Sequence, residues 1–188
     1  MPTHAEKRFL PYTPKQLFDL VADVERYPEF LPWCVGARIR QRTGDTIVAD
    51  LVIGFKMFRE RFTSRVKLDE ARYRIDVTYT EGPFRYLNNH WVFEPHPGGC
   101  VIDFYVDFEF RSRILQRVIE ALFSEAVRRM VGAFEARARA LYGPGMTPSP
   151  SAAAGQAGSG RTDAGGKGGV EGGDHEGVEN PVSDDRRP

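Results

Sequence analysis

The sequence predicts an α+β domain in which a curled antiparallel sheet wraps one long C-terminal helix. Three observations carry this. The middle of the chain alternates apolar and polar residues with period two, a long helical stripe of apolar residues follows it, and a short capped helix precedes it.

The short helix opens on Thr13 as N-cap, with Pro14 at the first helical position and Gln16 placed to close a capping box. Leu17, Leu20, Val21, Val24 and Tyr27 continue it at helical spacing, and Pro28 is the expected terminator.

The strands follow. Ile47, Ala49, Leu51, Ile53 and Phe55 share one face. Phe62, Ser64, Val66 and Leu68 share another, with Arg61, Thr63, Arg65 and Lys67 opposite. Tyr73, Ile75, Val77 and Tyr79 come next, then Leu87, Asn89, Trp91 and Phe93 after Gly82-Pro83. The turn Pro95-His96-Pro97-Gly98-Gly99 leads into Cys100, Ile102, Phe104, Val106, Phe108 and Phe110. One greasy and one polar face per strand is the pattern of an antiparallel sheet wet on one side.

The last helix is expected from about Arg113 to Leu141, with Leu115, Ile119, Leu122, Phe123, Ala126, Val127, Met130, Phe134, Ala138 and Leu141 on its apolar side. At about 1.5 Å per residue it spans roughly 40 Å, enough to cross the concave face of a twisted sheet.

Composition changes sharply at Gly143-Pro144. Residues 1–144 read as the folded domain, and 145–188 as a disordered tail of Gly, Ser, Ala, Pro and charge that cannot offset its own ordering entropy. The chain carries 26 basic and 26 acidic residues, but the folded part alone holds 22 and 19, an excess too small to argue for nucleic acid by itself. Two cysteines, Cys34 and Cys100, form no recognisable disulfide framework, which suits a reducing compartment. No apolar run of signal-peptide or membrane-spanning length occurs, so a cytoplasmic location is expected, with at most peripheral contact at the inner face of a membrane.

Catalytic signatures are missing. His4, His90, His96 and His175 have no metal-ligand spacing, and no nucleophile elbow, phosphate loop or HExxH motif is present. No catalytic residue, metal or cofactor is expected.

The segments LVADVERYPEFLPWC (Leu20 to Cys34), LVIGFKMFRERFTSRV (Leu51 to Val66) and EGPFRYLNNHWVF (Glu81 to Phe93) resemble the coenzyme Q-binding START-domain family, over about residues 3 to 142. That family also contains bacterial ribosome-association toxins and belongs to a polyketide cyclase-like superfamily. The resemblance implies a START-like helix-grip fold of about seven strands, an internal lipid tunnel, ubiquinone or a similar isoprenoid lipid as bound ligand, and support of cellular respiration. The toxin members imply binding to the large ribosomal subunit and inhibition of translation, and the cyclases imply an enzyme on the same fold. DNA is not an expected partner.

A quinone needs an apolar tube for its tail, worth roughly 0.8 kcal/mol per buried CH₂, and one or two donors for ring carbonyls that only accept. The expected cavity residues are Leu51, Ile53, Phe62, Ser64, Val66, Ile75, Val77, Tyr79, Asn89, Trp91, Phe104, Phe108, Leu122 and Met130. Asn89 interrupts an otherwise apolar face: it reads either as donor to a ligand carbonyl or as a satisfied structural amide. Phe30, Leu31 and Trp33 form a greasy segment suited to a rim over the cavity or to packing the first helix. Glu60 shares the inward parity of Phe58 and Phe62 and is placed at the mouth, as a ligand contact or a salt-bridge partner. Gly54-Phe55-Lys56-Met57-Phe58 reads as a hairpin that dips into a bilayer or faces the core. Arg38, Arg40 and Arg42 on one strand face, and Arg111, Arg113, Arg117, Arg128, Arg129, Arg137 and Arg139 along the last helix, could meet RNA or anionic lipid, or form an ordinary solvated surface of i,i+4 pairs.

Overall fold

The computed structural model describes residues 3–55 and 58–146. The elements run β1 (Thr3–Leu10), α1 (Pro14–Ala22), α2 (Tyr27–Phe30), β2 (Cys34–Thr43), β3 (Thr46–Phe55), β4 (Phe58–Asp69), β5 (Arg74–Glu81), β6 (Phe84–His96), β7 (Gly99–Phe110) and α3 (Arg113–Tyr142). Seven strands form one sheet in the order β1-β7-β6-β5-β4-β3-β2, every neighbouring pair antiparallel. A curled sheet with a long C-terminal helix across it is the predicted helix grip.

The capping box forms as expected. Thr13 Oγ1 accepts from the Gln16 amide at 3.2 Å, and Gln16 Oε1 accepts from the Thr13 amide at 2.9 Å. The helix, however, stops at Ala22. Asp23 leaves helical geometry, a 3-10 turn covers Val24–Arg26, and Pro28 lies in the first turn of α2 instead of ending α1. A proline lacks the N–H that a first turn leaves unpaired, so Pro28 suits a start as well as a stop. The Tyr27 hydroxyl turns back to donate to the Val21 carbonyl, one of the last acceptors of α1.

Two strands escape the alternation rule. On β1, His4, Glu6 and Arg8 share the inward side with Leu10, so no apolar face marks it; it forms because β7 offers an open edge, paired from Thr3↔Asp107 to Leu10↔Cys100. On β2, irregularities between Cys34 and Gly36 and between Ile39 and Gln41 shift the pairing with β3. Arg38 therefore registers with Asp50 and Arg42 with Ile47, and the three arginines do not share one simple face.

Packing is uneven along the grip. The α1 residues Leu17, Phe18, Leu20 and Val21 join Ile75, Trp91, Phe93 and Phe104 from the sheet with Val127, Phe134 and Ala138 from α3 in one buried core. Tyr142 donates to the Gln16 carbonyl at 3.0 Å and Tyr12 to the Gly143 carbonyl at 2.9 Å, fastening the C-terminal end of α3 beside α1. From Arg113 to Ala126 of α3 only Leu115 is buried, while Val118, Ile119, Leu122 and Phe123 remain half-exposed. The tail expected beyond residue 145 and the hairpin residues Lys56 and Met57 lie outside the described residues, apart from Gly145 and Met146.

Candidate functional site

The loosely packed end holds a cavity of about 80 Å³ between β3, β4, the β5–β6 turn, β7 and the first turns of α3. Ile53, Phe55, Phe58, Phe62, Pro83, Phe84, Phe110, Leu115, Val118 and Ile119 line it, with Glu60 among them. Register explains the sheet side: Phe55 faces Phe58, Ile53 faces Glu60, and Phe84 faces Phe110 across their strand pairs. Gly82, at φ +134°, brings Pro83 and Phe84 there. A side chain at this position would meet the Arg61 carbonyl and Phe62 at 2.8 Å, so only glycine lets the turn lie this close to β4.

The cavity is tight. Pockets for drug-sized ligands span about 300–1,000 Å³, and a dry engineered cavity that accepts benzene is about 150 Å³. A ring with an isoprenoid tail enters only if α3 and the sheet part further. Their facing side chains here are covered on one side only, which makes this end the cheaper one to open.

Glu60 is the single ionisable group on this wall, half-buried, and it has no hydrogen-bond or ion-pair partner among the described residues. An ionised carboxylate only accepts hydrogen bonds. It therefore matches a ligand donor, not a quinone carbonyl.

The other expected residues fall into distinct groups. Of the cavity set, Ile53 and Phe62 line this space. Trp91 and Phe104 line a second cleft of about 30 Å³, with Glu6, Arg8, Leu10, Ile102, Val131, Phe134 and Glu135, where Arg8 pairs with Glu135 at 3.0 Å. Ser64, Val66 and Ile75 are buried in the sheet, at 1%, 4% and 1% exposure, and line neither of these two spaces. Leu51, Val77 and Met130 pack half-buried against the core, and Leu122 is half-buried on α3 without lining either space. Phe108 is buried between Phe84 and Phe123. The Tyr79 hydroxyl is taken by the Gly82 carbonyl.

Asn89 is engaged on both sides. Its Oδ1 accepts from the Trp91 indole at 3.0 Å and its Nδ2 donates to the Tyr105 carbonyl at 2.7 Å, so one amide hydrogen is left over. This geometry is that of the structural amide.

Phe30, Leu31 and Trp33 line neither space. Phe30 packs on Phe134 with ring centroids 5.2 Å apart and on Tyr27, and Leu31 packs against the core, which is how α2 seats on α3. Trp33 meets Phe55 at 5.9 Å and so touches the back of the cavity wall. Phe55 and Phe58 face the cavity. Eight lining residues were outside the expected site, Pro83, Phe84, Phe110, Leu115 and Ile119 among them; inward parity with Ile53 and Phe62 marks Phe55 and Phe58, and spacing of three from Leu115 and four to Leu122 marks Val118.

Neither cysteine is poised for chemistry. Burial raises the thiol of Cys34 and pushes that of Cys100 up to about 12. No group of three or more His, Cys, Asp or Glu side chains that could hold a metal occurs among the described residues, and no helix among them is long and apolar enough to cross a membrane.

Comparison with known proteins agrees with the fold and its family. The model of the polyketide cyclase / dehydrase and lipid transport family matches residues 10–135. The ribosome association toxin RatA of Rickettsia prowazekii is 42% identical over 135 residues, covering 70% of this chain and 92% of its own. The mitochondrial coenzyme Q-binding protein COQ10 homolog B of Xenopus laevis is 32% identical over 155 residues, covering 80% of this chain and 63% of its own. Among solved structures, a START superfamily protein from Mycobacterium smegmatis superposes with a TM-score of 0.64 at 19% identity, over 74% of this chain and 98% of that one, a likeness of fold. The chain belongs to the polyketide cyclase / dehydrase and lipid transport family and folds as its START-like helix grip.

Proposed function

We propose that this protein binds an isoprenoid lipid of the ubiquinone class between the sheet and the N-terminal half of α3, and holds it without chemical change in support of respiratory electron transport. The observation that carries the reading is the pair of facing apolar surfaces at that end: Ile53, Phe58, Phe62 and Phe110 from the sheet oppose Val118 and Ile119 from α3, all incompletely covered. Apolar area left half-exposed inside a fold returns about 25 cal/mol per Å² when a ligand covers it, and a prenyl tail supplies that cover. The coenzyme Q-binding relative supports the choice of ligand class. Loading would occur by transient contact with a membrane surface.

The test is gentle purification, extraction into organic solvent and mass spectrometry for quinones, followed by titration with a short-chain ubiquinone. Co-extracted or titratable quinone is expected. A folded protein that yields none and takes up none overturns the reading.

A second reading has its own support. The toxin relatives are named for ribosome association, and a row of exposed cations lies on the outer face of β4. Under this reading the chain binds the large ribosomal subunit, and sedimentation with such subunits at low salt would carry it down.

A further inference from the structure

The zero net charge of the chain conceals a separation of charge across the outer face of the sheet. Outward positions on β4 are Arg59, Arg61, Thr63, Arg65 and Lys67, opposite in parity to Phe58, Glu60, Phe62, Ser64 and Val66. Alternate residues of a strand lie about 6.6–6.8 Å apart, so these four cations form a rail of roughly 27 Å. All four are exposed, and none has an ion-pair or side-chain hydrogen-bond partner among the described residues. Arg38 and Arg40 of β2 join them, 69% and 47% exposed at the side chain. Acidic groups gather toward β5–β7: Asp103, Asp107 and Glu109 of β7 with Glu94 of β6, where Lys7 and Arg85 partly neutralise them, and at the border of the rail Asp69 is held by Arg72, Asp76 by Arg74, and Glu81 lies 3.7 Å from Arg40.

Two carboxylates stand beside the middle of the rail, Asp50 and the exposed Glu81, and the buried one, Asp50, is a fastening. Asp50 is 5% exposed beneath the arginines; it accepts from Thr63 Oγ1 at 2.7 Å and from Arg38 at 3.1 Å, with Arg40 at 3.6 Å. Its charge holds two guanidinium groups in place while their outer edges stay in solvent. Arg59 and Arg61, and Arg65 and Lys67, are like charges two residues apart on one strand, so their repulsion costs stability that a bound polyanion would return. The helix arginines differ: Arg128 and Arg129 are both held by Glu125, and Arg137 by Glu29.

We infer that the outer face of β2–β4 is an RNA-binding surface that grips phosphates through Arg38, Arg40, Arg59, Arg61, Arg65 and Lys67. Arginine forks pair two-pronged with phosphate oxygens, and a straight rail of them follows a nucleic-acid backbone. A lipid surface fits less well, because among the described residues Val35 is the only exposed large apolar side chain on these strands, a small anchor for an acyl layer. The inference rests on the ribosome reading above and names the face that would carry it. It leaves the α3 cavity on the opposite side of the sheet free.

The experiment is sedimentation of the full chain with purified large ribosomal subunits over a salt series, comparing wild type, Arg59→Gln/Arg65→Gln, and Arg128→Gln/Arg129→Gln as the α3 control. The first pair avoids the arginines around Asp50, and a thermal melt confirms that it folds. Wild type and the α3 control are expected to bind with steep salt dependence, whereas R59Q/R65Q loses at least tenfold in affinity and its log–log salt slope falls by about one to two. Wild-type binding that R59Q/R65Q leaves unchanged overturns the face and spares the ribosome reading. No binding by wild type at low salt overturns both. Binding to phosphatidylserine vesicles through these residues, without binding to subunits, overturns RNA as the partner.

Discussion

The indole N–H of Trp91 donates to Asn89 Oδ1 at 3.0 Å while the same amide donates to the Tyr105 carbonyl at 2.7 Å, tying β6 to β7 from inside the grip. Asn89 thereby satisfies the one polar atom of a tryptophan packed against Phe104 and Phe134. Replacing Asn89 with Leu strands the buried indole N–H, and stability is expected to fall by about 1–3 kcal/mol. Denaturant melts check this; a variant as stable as wild type would show that the network is dispensable.

Filling the cavity separates ligand binding from folding. Ile119→Trp places an indole ring into a space of about 80 Å³. Overpacking costs about 1–3 kcal/mol, within the stability of an ordinary domain. Uptake of short-chain ubiquinone is expected to drop at least tenfold in a protein that still melts cooperatively. Undiminished uptake would move the ligand elsewhere.

Glu60 bears on which redox form such a ligand takes. A carboxylate accepts from the hydroxyls of a hydroquinone and repels the carbonyls of a quinone. Wild type is expected to bind a short-chain ubiquinol more tightly than the matching ubiquinone, and Glu60→Gln to narrow the gap by weakening the quinol. Equal affinities in wild type would remove Glu60 from the ring site.

Asp50 sets an acid limit. Burial alone would raise its carboxyl, but the hydrogen bonds from Thr63 and Arg38 and the charges of Arg40 and Arg61 outweigh that and hold it below the usual carboxylate range. A group lowered on folding stabilises the native state above its unfolded value, near 3.9 for aspartate, and loses that contribution as pH falls through its folded value. Melting temperature below about pH 4 should therefore fall more steeply in wild type than in Asp50→Asn. Parallel curves would mean that Asp50 is not a pH-linked group.

The two thiols give a simple check on the core. With Cys100 pushed up to about 12 and Cys34 raised, both by burial, neither supplies thiolate at pH 8. Iodoacetamide should modify neither cysteine in the native protein and both after unfolding, as read by intact mass. Rapid native alkylation of Cys100 would show that the β6–β7 turn opens.

Much of the architecture is legible in residue order alone. Period-two alternation marks β3 through β7, Thr13-Pro14 with Gln16 marks the start of α1, and the stripe from Leu115 to Ala138 marks α3, because each of these reports which side of an element avoids water. β1 is not legible, since His4, Glu6 and Arg8 occupy its inward side and its existence depends on the free edge of β7. The break of α1 at Ala22 is not legible either, because Val24 and Tyr27 keep helical spacing while the backbone does not.

The site divides in the same way. Sequence by itself determined that an apolar helix face meets an apolar sheet face, and that donors between them are few. Only the tertiary structure decided where the two faces stand apart. That distance depends on the twist of the sheet and the fastening of α3 beside α1, so Ser64, Val66 and Ile75 became core while Phe55, Phe58 and Val118 became wall. The charge rail follows the same logic: alternation places Arg59, Arg61, Arg65 and Lys67 outward, but strand register alone brings Asp50 and Arg38 beside them.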